Sequence, residues 1–340
     1  MKNISGNSLI IKEVNINLVR KALQEMAQGT KQQIAEVTGL STVTVGTILQ
    51  QLLEEKEALE VELSSSSGGR PAHQFRYNAN YAYMLILFPI QANGAIEVYS
   101  TVVNLMGETV YKKNWEAADV DLITFEKIVD SLLLKYNNIK AIGFGLPGAE
   151  YKGKMVISDY KTLLGIPLIE YFSKKYKRPV IMENDVNAAV IGYSKRNLSF
   201  NEATVVYIFF PGCYAPGAGI FINGRLYKGK GNFAGEIANI PLDICWTDPS
   251  LYSSFYEISE SISKLICAVS SVINPDTIVL HGSFLSTDHI NEILKVCSLK
   301  LPKNALPEIC LSDNFSEDYL RGMIVQTLKT IEPSIVLSRN

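Results

Sequence analysis

Apolar positions near the start of the chain recur at helical spacing. Leu18, Val19, Ala22, Leu23 and Met26 mark one face of a helix predicted over 17–27 and ended by Gly29. Lys31 to Val37 reads as a short second helix with Ile34 and Ala35 inward, followed by a tight Thr38-Gly39-Leu40 turn in which Gly39 can take positive φ. Ser41 then caps a third helix, from Thr42 to about Lys56, that buries Val45, Ile48, Leu49, Leu52 and Leu53 and leaves Thr42, Thr44, Thr47 and Gln51 on other faces. Beyond it the period changes to two. Leu59, Val61 and Leu63 alternate with Glu60 and Glu62, a SSSSGG stretch intervenes, and Phe75 and Tyr77 alternate with Gln74 and Arg76, which predicts a hairpin.

Small Ala35, turn Gly39 and apolar Val45 have the spacing of a helix-turn-helix, although a plain three-helix bundle would use the same residues. The hairpin turns the reading toward a winged helix. At the root of its wing, Arg70 lies between two glycines and Pro71, placed to reach a phosphate or a narrow minor groove, or to serve as a surface linker.

From residue 81 the pattern becomes that of strands and helices in alternation. Tyr81 to Phe88, Ala95 to Val103 and Glu108 to Trp115 read as a meander, followed by a helix from Leu122 and a strand from Lys140 to Gly143. A second set repeats the order: Thr204 to Phe210, Gly219 to Ile222, Gly224 to Tyr227, a helix near 257–272 and a strand from Thr277 to Leu280. Two α/β units in tandem predict two lobes facing a cleft, with ligands bound where strand ends and loops meet.

Composition narrows the function classes. With 340 residues, 47% of them apolar, the chain can bury a large core divided among two or three units. No apolar run approaches the roughly 20 residues of a membrane span, and the polar N-terminus lacks the apolar stretch of a signal peptide, so a cytoplasmic location is expected. Five widely spaced cysteines, Cys213, Cys245, Cys267, Cys297 and Cys310, include no CxxC pair and are expected to be core thiols. The net charge is −2, and the first 80 residues carry eight Lys or Arg against eight Glu, so DNA binding must be local. Ser41, Thr42, Thr44 and Thr47 can donate to phosphates or touch thymine methyls, but no Arg or Lys precedes Lys56 on that helix to make the bidentate guanine contact. Base readout is therefore expected to be A·T-leaning or led by the wing.

Five motifs occur in order: Gly145-Leu-Pro-Gly148; Glu183-Asn-Asp-Val-Asn-Ala-Ala189; Ile222-Asn-Gly-Arg-Leu-Tyr-Lys-Gly229; Ala234-Gly-Glu-Ile237; and Ile273-Asn-Pro-Asp-Thr-Ile-Val-Leu280. Together they resemble the ROK family, which groups sugar-responsive repressors with bacterial glucokinases, and the winged helix with its GGRP ending resembles that of the repressor branch. The resemblance implies an α/β fold: an N-terminal winged helix-turn-helix at 1–80, then a two-lobed, actin-like or ribonuclease-H-like body. Its first lobe would take 81–195 plus 313–340, and its second 196–312.

The resemblance also implies a sugar site at Gly148, Asn184, Asp185, Glu236, Asn239 and Glu257, with Asp185 where a kinase keeps its base. An amide can donate to and accept from hydroxyls, and a carboxylate can take a hydroxyl proton. Asn184 and Asp185 could instead cap the helix that follows them.

Against this pattern three phosphate loops have changed. The first reads Leu87-Phe88-Pro89-Ile90-Gln91 where the family has an Asp and two glycines; the second carries Cys213, Tyr214 and Pro216; the third reads Leu280-His281-Gly282-Ser283. Only glycine lets backbone N–H groups close around phosphate without a Cβ clash, so ATP use and phosphorylation are not expected. Between Glu236 and Glu257 there is one cysteine, and Asn239 replaces the family's histidine, so no metal or other cofactor is expected and the loop must be held by packing around Trp246 and Tyr252 or be left mobile. The reading is a homodimeric or larger DNA-binding regulator of carbohydrate metabolism, with a small sugar as effector and an inverted-repeat operator as target. A ligand-independent DNA-binding protein with a decayed pocket is the alternative, and an active sugar kinase is a third.

Overall fold

The computed structural model describes residues 4–61, 73–92, 95–196, 203–211 and 214–331. The N-terminal unit comprises α1 (Ile4–Met26), β1 (Gln28–Thr30), α2 (Lys31–Thr38), α3 (Thr42–Glu54), β2 (Ala58–Val61) and β3 (Gln74–Tyr77). Thr30 and Gln33 form a capping box at the start of α2, and Gly39, at φ 71°, ends it in the left-handed region that a side chain would resist. Ser41 accepts the Thr44 N–H at 3.1 Å and so caps α3. Val19, Leu23, Ile34, Val45, Leu49, Leu52 and Phe75 close over one core, each side chain adding about 1.5–3 kcal/mol on burial.

Two features depart from the sequence reading. Helix α1 begins at Ile4 rather than near Asn17, and Gln28–Thr30 forms a strand pairing with β3, making a sheet of order β1-β3-β2. Three residues centred on a glycine show no alternation, so only the partner strand reveals β1. The tip of the wing and Arg70 lie outside the described residues.

The first body unit runs β4 (Tyr83–Ala92), β5 (Ala95–Asn104), β6 (Thr109–Ala117), α4 (Leu122–Lys135), β7 (Ile139–Gly145), β8 (Gly148–Tyr151), β9 (Lys154–Ser158), α5 (Leu168–Tyr176), β10 (Val180–Glu183) and α6 (Asp185–Arg196). The second runs β11 (Val205–Phe209), β12 (Gly217–Ile222), β13 (Arg225–Leu226), α7 (Pro249–Ser253), α8 (Phe255–Ile273), β14 (Thr277–His281), α9 (Thr287–Lys300), β15 (Glu308–Leu311) and α10 (Phe315–Leu328). Their sheets are ordered β10-β7-β4-β5-β6 and β13-β12-β11-β14-β15. Each is an antiparallel meander whose first strand also pairs in parallel with a later strand, which pairs in parallel with the last. This is the two-lobed α/β body read from the tandem pattern. Central strands β4 and β11 are near-continuous apolar runs because helices cover both faces, and Met84 to Phe88 are at most 2% exposed.

The last helix of each unit crosses to the other. α6 packs Val186, Ala189, Val190 and Tyr193 on Val205, Tyr207 and Phe221 of the second sheet, although the sequence division leaves it with the first lobe. α10 packs Tyr319 and Met323 on Met84, Ile86 and Ala141 of the first sheet. The two helices therefore cross at the junction of the lobes. Cysteine burial is uneven: Cys297 is buried, Cys267 and Cys310 are half-buried, and Cys245 is exposed in an aromatic-rich loop, contrary to its expected place in the core. Cys213 lies outside the described residues. Among the described residues no helix is long and apolar enough to cross a membrane.

Candidate functional site

A cavity of about 570 Å³ opens between the lobes, large enough for a small polar molecule. Gly148, Asn184, Asp185, Glu236 and Asn239, scattered over ninety residues of sequence, all line it. Gly148 starts β8 with φ 135°, and a Cβ there would overlap the Ile157 carbonyl, so β9 can approach only a glycine. Asn184 accepts the Val186 and Asn187 N–H groups at 3.0 and 3.1 Å and donates to the Gly148 carbonyl at 3.3 Å. Its side chain is thus the cap of α6 and a tie between α6 and β8. The cap holds the residue at the cavity wall.

Asp185 follows at the first turn of α6 and accepts the Val186 N–H at 2.9 Å. Burial pushes its carboxyl up to about 7, with the nearby charges of Asp159 and Glu236 adding to the shift. Glu236 is raised by burial and by Asp159, and Asp159 is itself raised by burial. Asn239 turns its amide back to the Glu236 carbonyl at 3.3 Å, closing the short turn that presents Glu236.

Glu257 is placed elsewhere. It stands exposed on the first turn of α8, where its N–H meets Ser254 at 3.4 Å, and it is not among the residues lining the cavity. The intervening loop is held by packing. Trp246 is 4% exposed and faces Phe210, while the Tyr252 hydroxyl donates to the Trp246 carbonyl at 2.8 Å and its ring meets Phe284 edge-on.

Several wall residues carried no role in the sequence reading. Glu183, 3% exposed, pairs with Lys228 at 2.8 Å and accepts from Gln326 of α10 at 3.1 Å. Asn187 and Asp159 also line the cavity. Glu183, Asn187 and Lys228 stand inside the quoted motifs, so their position in the motif was the available signal. Asp159 had none, since a lone carboxylate after a short strand looks like any loop residue.

At the changed first loop, the ladder between β4 and β5 runs in register from Tyr83 opposite Asn104 to Ala92 opposite Ala95. Phe88 stacks on Tyr99 and leans on Tyr319, and Pro89 is buried. Strand and aromatic rings occupy the segment where phosphate-binding glycines would be needed.

On the N-terminal unit, Ser41, Thr42 and Thr47 are exposed and Thr44 is half-buried along α3. Ser41 is committed to its cap, and Thr47 donates to the Val43 carbonyl at 3.2 Å. Val43, 78% exposed between Thr42 and Thr44, presents an apolar surface that the sequence reading passed over.

A family model described as the ROK family matches residues 93–251. Over those residues the chain is similar to the ROK family. The xylose repressor of Bacillus subtilis (strain 168) is 23% identical over 98% of this chain and 84% of its own length. A crystal structure of a ROK family transcriptional regulator, a homolog of the E. coli MLC protein, superposes with a TM-score of 0.71 at 16% identity over 94% of this chain and 97% of that one. The ROK hexokinase from Thermus thermophilus gives 0.61 at 14% identity, over 74% of this chain and 99% of that one. The N-terminal winged helix lengthens the likeness to the regulator, and the two lobes carry the fold common to all.

Proposed function

We propose that this chain is a DNA-binding transcriptional regulator of carbohydrate metabolism, a repressor that senses a sugar in the cavity between its lobes without phosphorylating it. The observation that carries the reading is the presence in one chain of a winged helix and a polar inter-lobe cavity, with α10 touching the wall of that cavity and lining a second one together with α1. Tyr319 and Met323 of α10 face the first sheet, Gln326 donates to Glu183 of the cavity wall, and Leu320, Ile324 and Leu328 line a cavity against Gln24 and Glu25 of α1. A change in lobe closure would be passed along α10 toward the winged helix. A coupling of about 1–3 kcal/mol between two states suffices to change operator occupancy substantially.

The sugar would rest against Gly148, Asn184, Asp185, Glu236 and Asn239, and Ser41, Thr42, Thr44 and Thr47 with Arg70 would meet the DNA. Glu257 has no part in this site. The protein would act in the cytoplasm as a symmetric dimer, reading an inverted repeat whose half-site spacing follows its two-fold axis. The xylose repressor name of the relative supports the regulatory reading, and the unbroken β4–β5 ladder with its aromatic cover supports the loss of kinase chemistry.

The test has two arms. Duplexes selected from a random pool by the full chain are expected to contain an inverted repeat, and fluorescence anisotropy should show their affinity shifting on addition of one sugar class. Coupled ADP release with Mg-ATP and a hexose and pentose panel should stay at background; turnover would make the chain a kinase. Sequence-specific DNA binding that no sugar alters would favour the ligand-independent regulator.

A further inference from the structure

The start of α3 presents carbon where the sequence promised polar hydrogens. Val43 is 78% exposed. Thr47, one turn on and on the same face, spends its hydroxyl hydrogen on the Val43 carbonyl at 3.2 Å, so what it offers outward is its methyl. The Ser41 and Thr44 hydroxyls are bonded to each other at 2.9 Å, and Ser41 also accepts the Thr44 N–H. Gln50, the next exposed position of that stripe, donates its amide to Glu54 at 3.2 Å. The hydroxyls of Ser41, Thr44 and Thr47 are thus engaged within the helix, and the group left standing clear on its first turn is an isopropyl.

Charge decides which part of α3 a polyanion can approach. Residues 41–53 contain no carboxylate, whereas Glu54 and Glu55 close the helix, and the first turn is the positive end of the helix dipole. Midway along, Gly46 leaves the space in which the Lys31 ammonium of α2 lies over α3, since a Cβ at 46 would stand 2.8 Å from that nitrogen. A cation there is placed as a phosphate anchor, which fixes register without reading sequence. Phosphates are therefore attracted to the half of α3 that carries Val43 and repelled from its far end. An apolar side chain flanked in this way fits the edge of a base pair, and the thymine 5-methyl is the apolar group that the major groove of unmodified DNA displays.

We propose that Val43, aided by the Thr47 methyl, is a specificity-determining residue that reads thymine 5-methyl groups in the major groove of each half-site, with Lys31 on a neighbouring phosphate. This rests on the DNA-binding reading and narrows it. Base choice on α3 comes from carbon contact rather than from hydroxyl donation, so the helix demands a thymine opposite Val43 and makes no guanine-specific bond.

Duplexes selected from a random pool by the full chain would be resynthesised with each thymine in turn replaced by deoxyuridine, which pairs alike and lacks only the 5-methyl, and titrated by fluorescence anisotropy at one salt concentration. At one or more positions of each half-site uracil is expected to weaken binding about fourfold, the factor that one buried carbon group commands. In the Val43→Ala chain, which keeps its fold because the side chain is exposed, one of these penalties should vanish, since that methyl has already lost its partner. Thr47→Ser, which keeps the hydroxyl and removes only the methyl, should weaken binding to the thymine duplex. Lys31→Ala should weaken all the duplexes alike and lessen their salt dependence. Specific binding with no uracil penalty at any thymine, or penalties that all survive undiminished in Val43→Ala, would overturn the methyl proposal and leave DNA binding intact. A chain that prefers no duplex over any other would remove both the methyl proposal and the sequence-specific DNA-binding reading beneath it.

Discussion

Gly322 of α10 lies directly against Ala188 of α6, so close that a Cβ at 322 would overlap the Ala188 carbonyl oxygen. On the facing helix, a Cβ at Gly192 would overlap the Asp318 carbonyl. Backbone meets backbone at this crossing, and it is the crossing that joins the two lobes. Gly322→Ala must therefore push two buried helices apart. We expect a loss of about 1–3 kcal/mol in urea unfolding, with sugar binding weakened because the cavity's α6 wall moves. An unchanged midpoint would show that the helices can separate freely.

The Asp185 carboxyl makes stability depend on pH. In the unfolded chain it loses its proton near its ordinary value of 3.8, whereas in the folded cavity it keeps it to about 7. Between those values the folded state holds more protons, so stability should fall as pH rises through that window and level off above it. Asp159 and Glu236 are shifted in the same direction. Thermal midpoints from pH 4 to 8 should show the decline, and Asp185→Asn should flatten much of it. A profile that rises over this range would contradict the burial of these groups.

Asn184 separates capping from ligand contact. Asn184→Asp keeps an oxygen for the Val186 and Asn187 N–H groups but loses the amide donor to Gly148. It should unfold close to the parent while weakening ligand binding. Asn184→Ala loses both and should cost about 0.5–2 kcal/mol besides. Equal stability of the two variants would mean that the cap contributes nothing.

On α3 the cap and the exposed face can likewise be told apart. Ser41→Ala should lower stability by about 0.5–2 kcal/mol through its lost bond to the Thr44 N–H. Val43→Ala and Thr47→Ala should leave the unfolding midpoint within about 0.5 kcal/mol and weaken binding to selected duplexes. Anisotropy titrations at one fixed salt concentration would compare them, and unaltered affinity in both would take DNA contact away from this face.

The helical stripe of Val45, Ile48, Leu49 and Leu52, the turn at Gly39 and the repeated meander, helix and strand order were legible because each rests on local periodicity or on a conformational demand that near neighbours impose. Gly148, Asn184, Asp185, Glu236 and Asn239, which share one cavity wall, were reached through the family resemblance, which also brought in Glu257. What sequence order could not carry was every relation set by distant partners. β1 exists only because β3 pairs with it, and α6 packs on the second sheet only because the two lobes come together. Glu257 lies outside the cavity because α8 points it to solvent, and Asp159 enters because the chain after β9 folds back toward α6. Local pattern determined the elements and their order in this protein. Tertiary packing decided which charges share a cavity, since that depends on burial and on separations of a few ångströms between residues far apart in the chain.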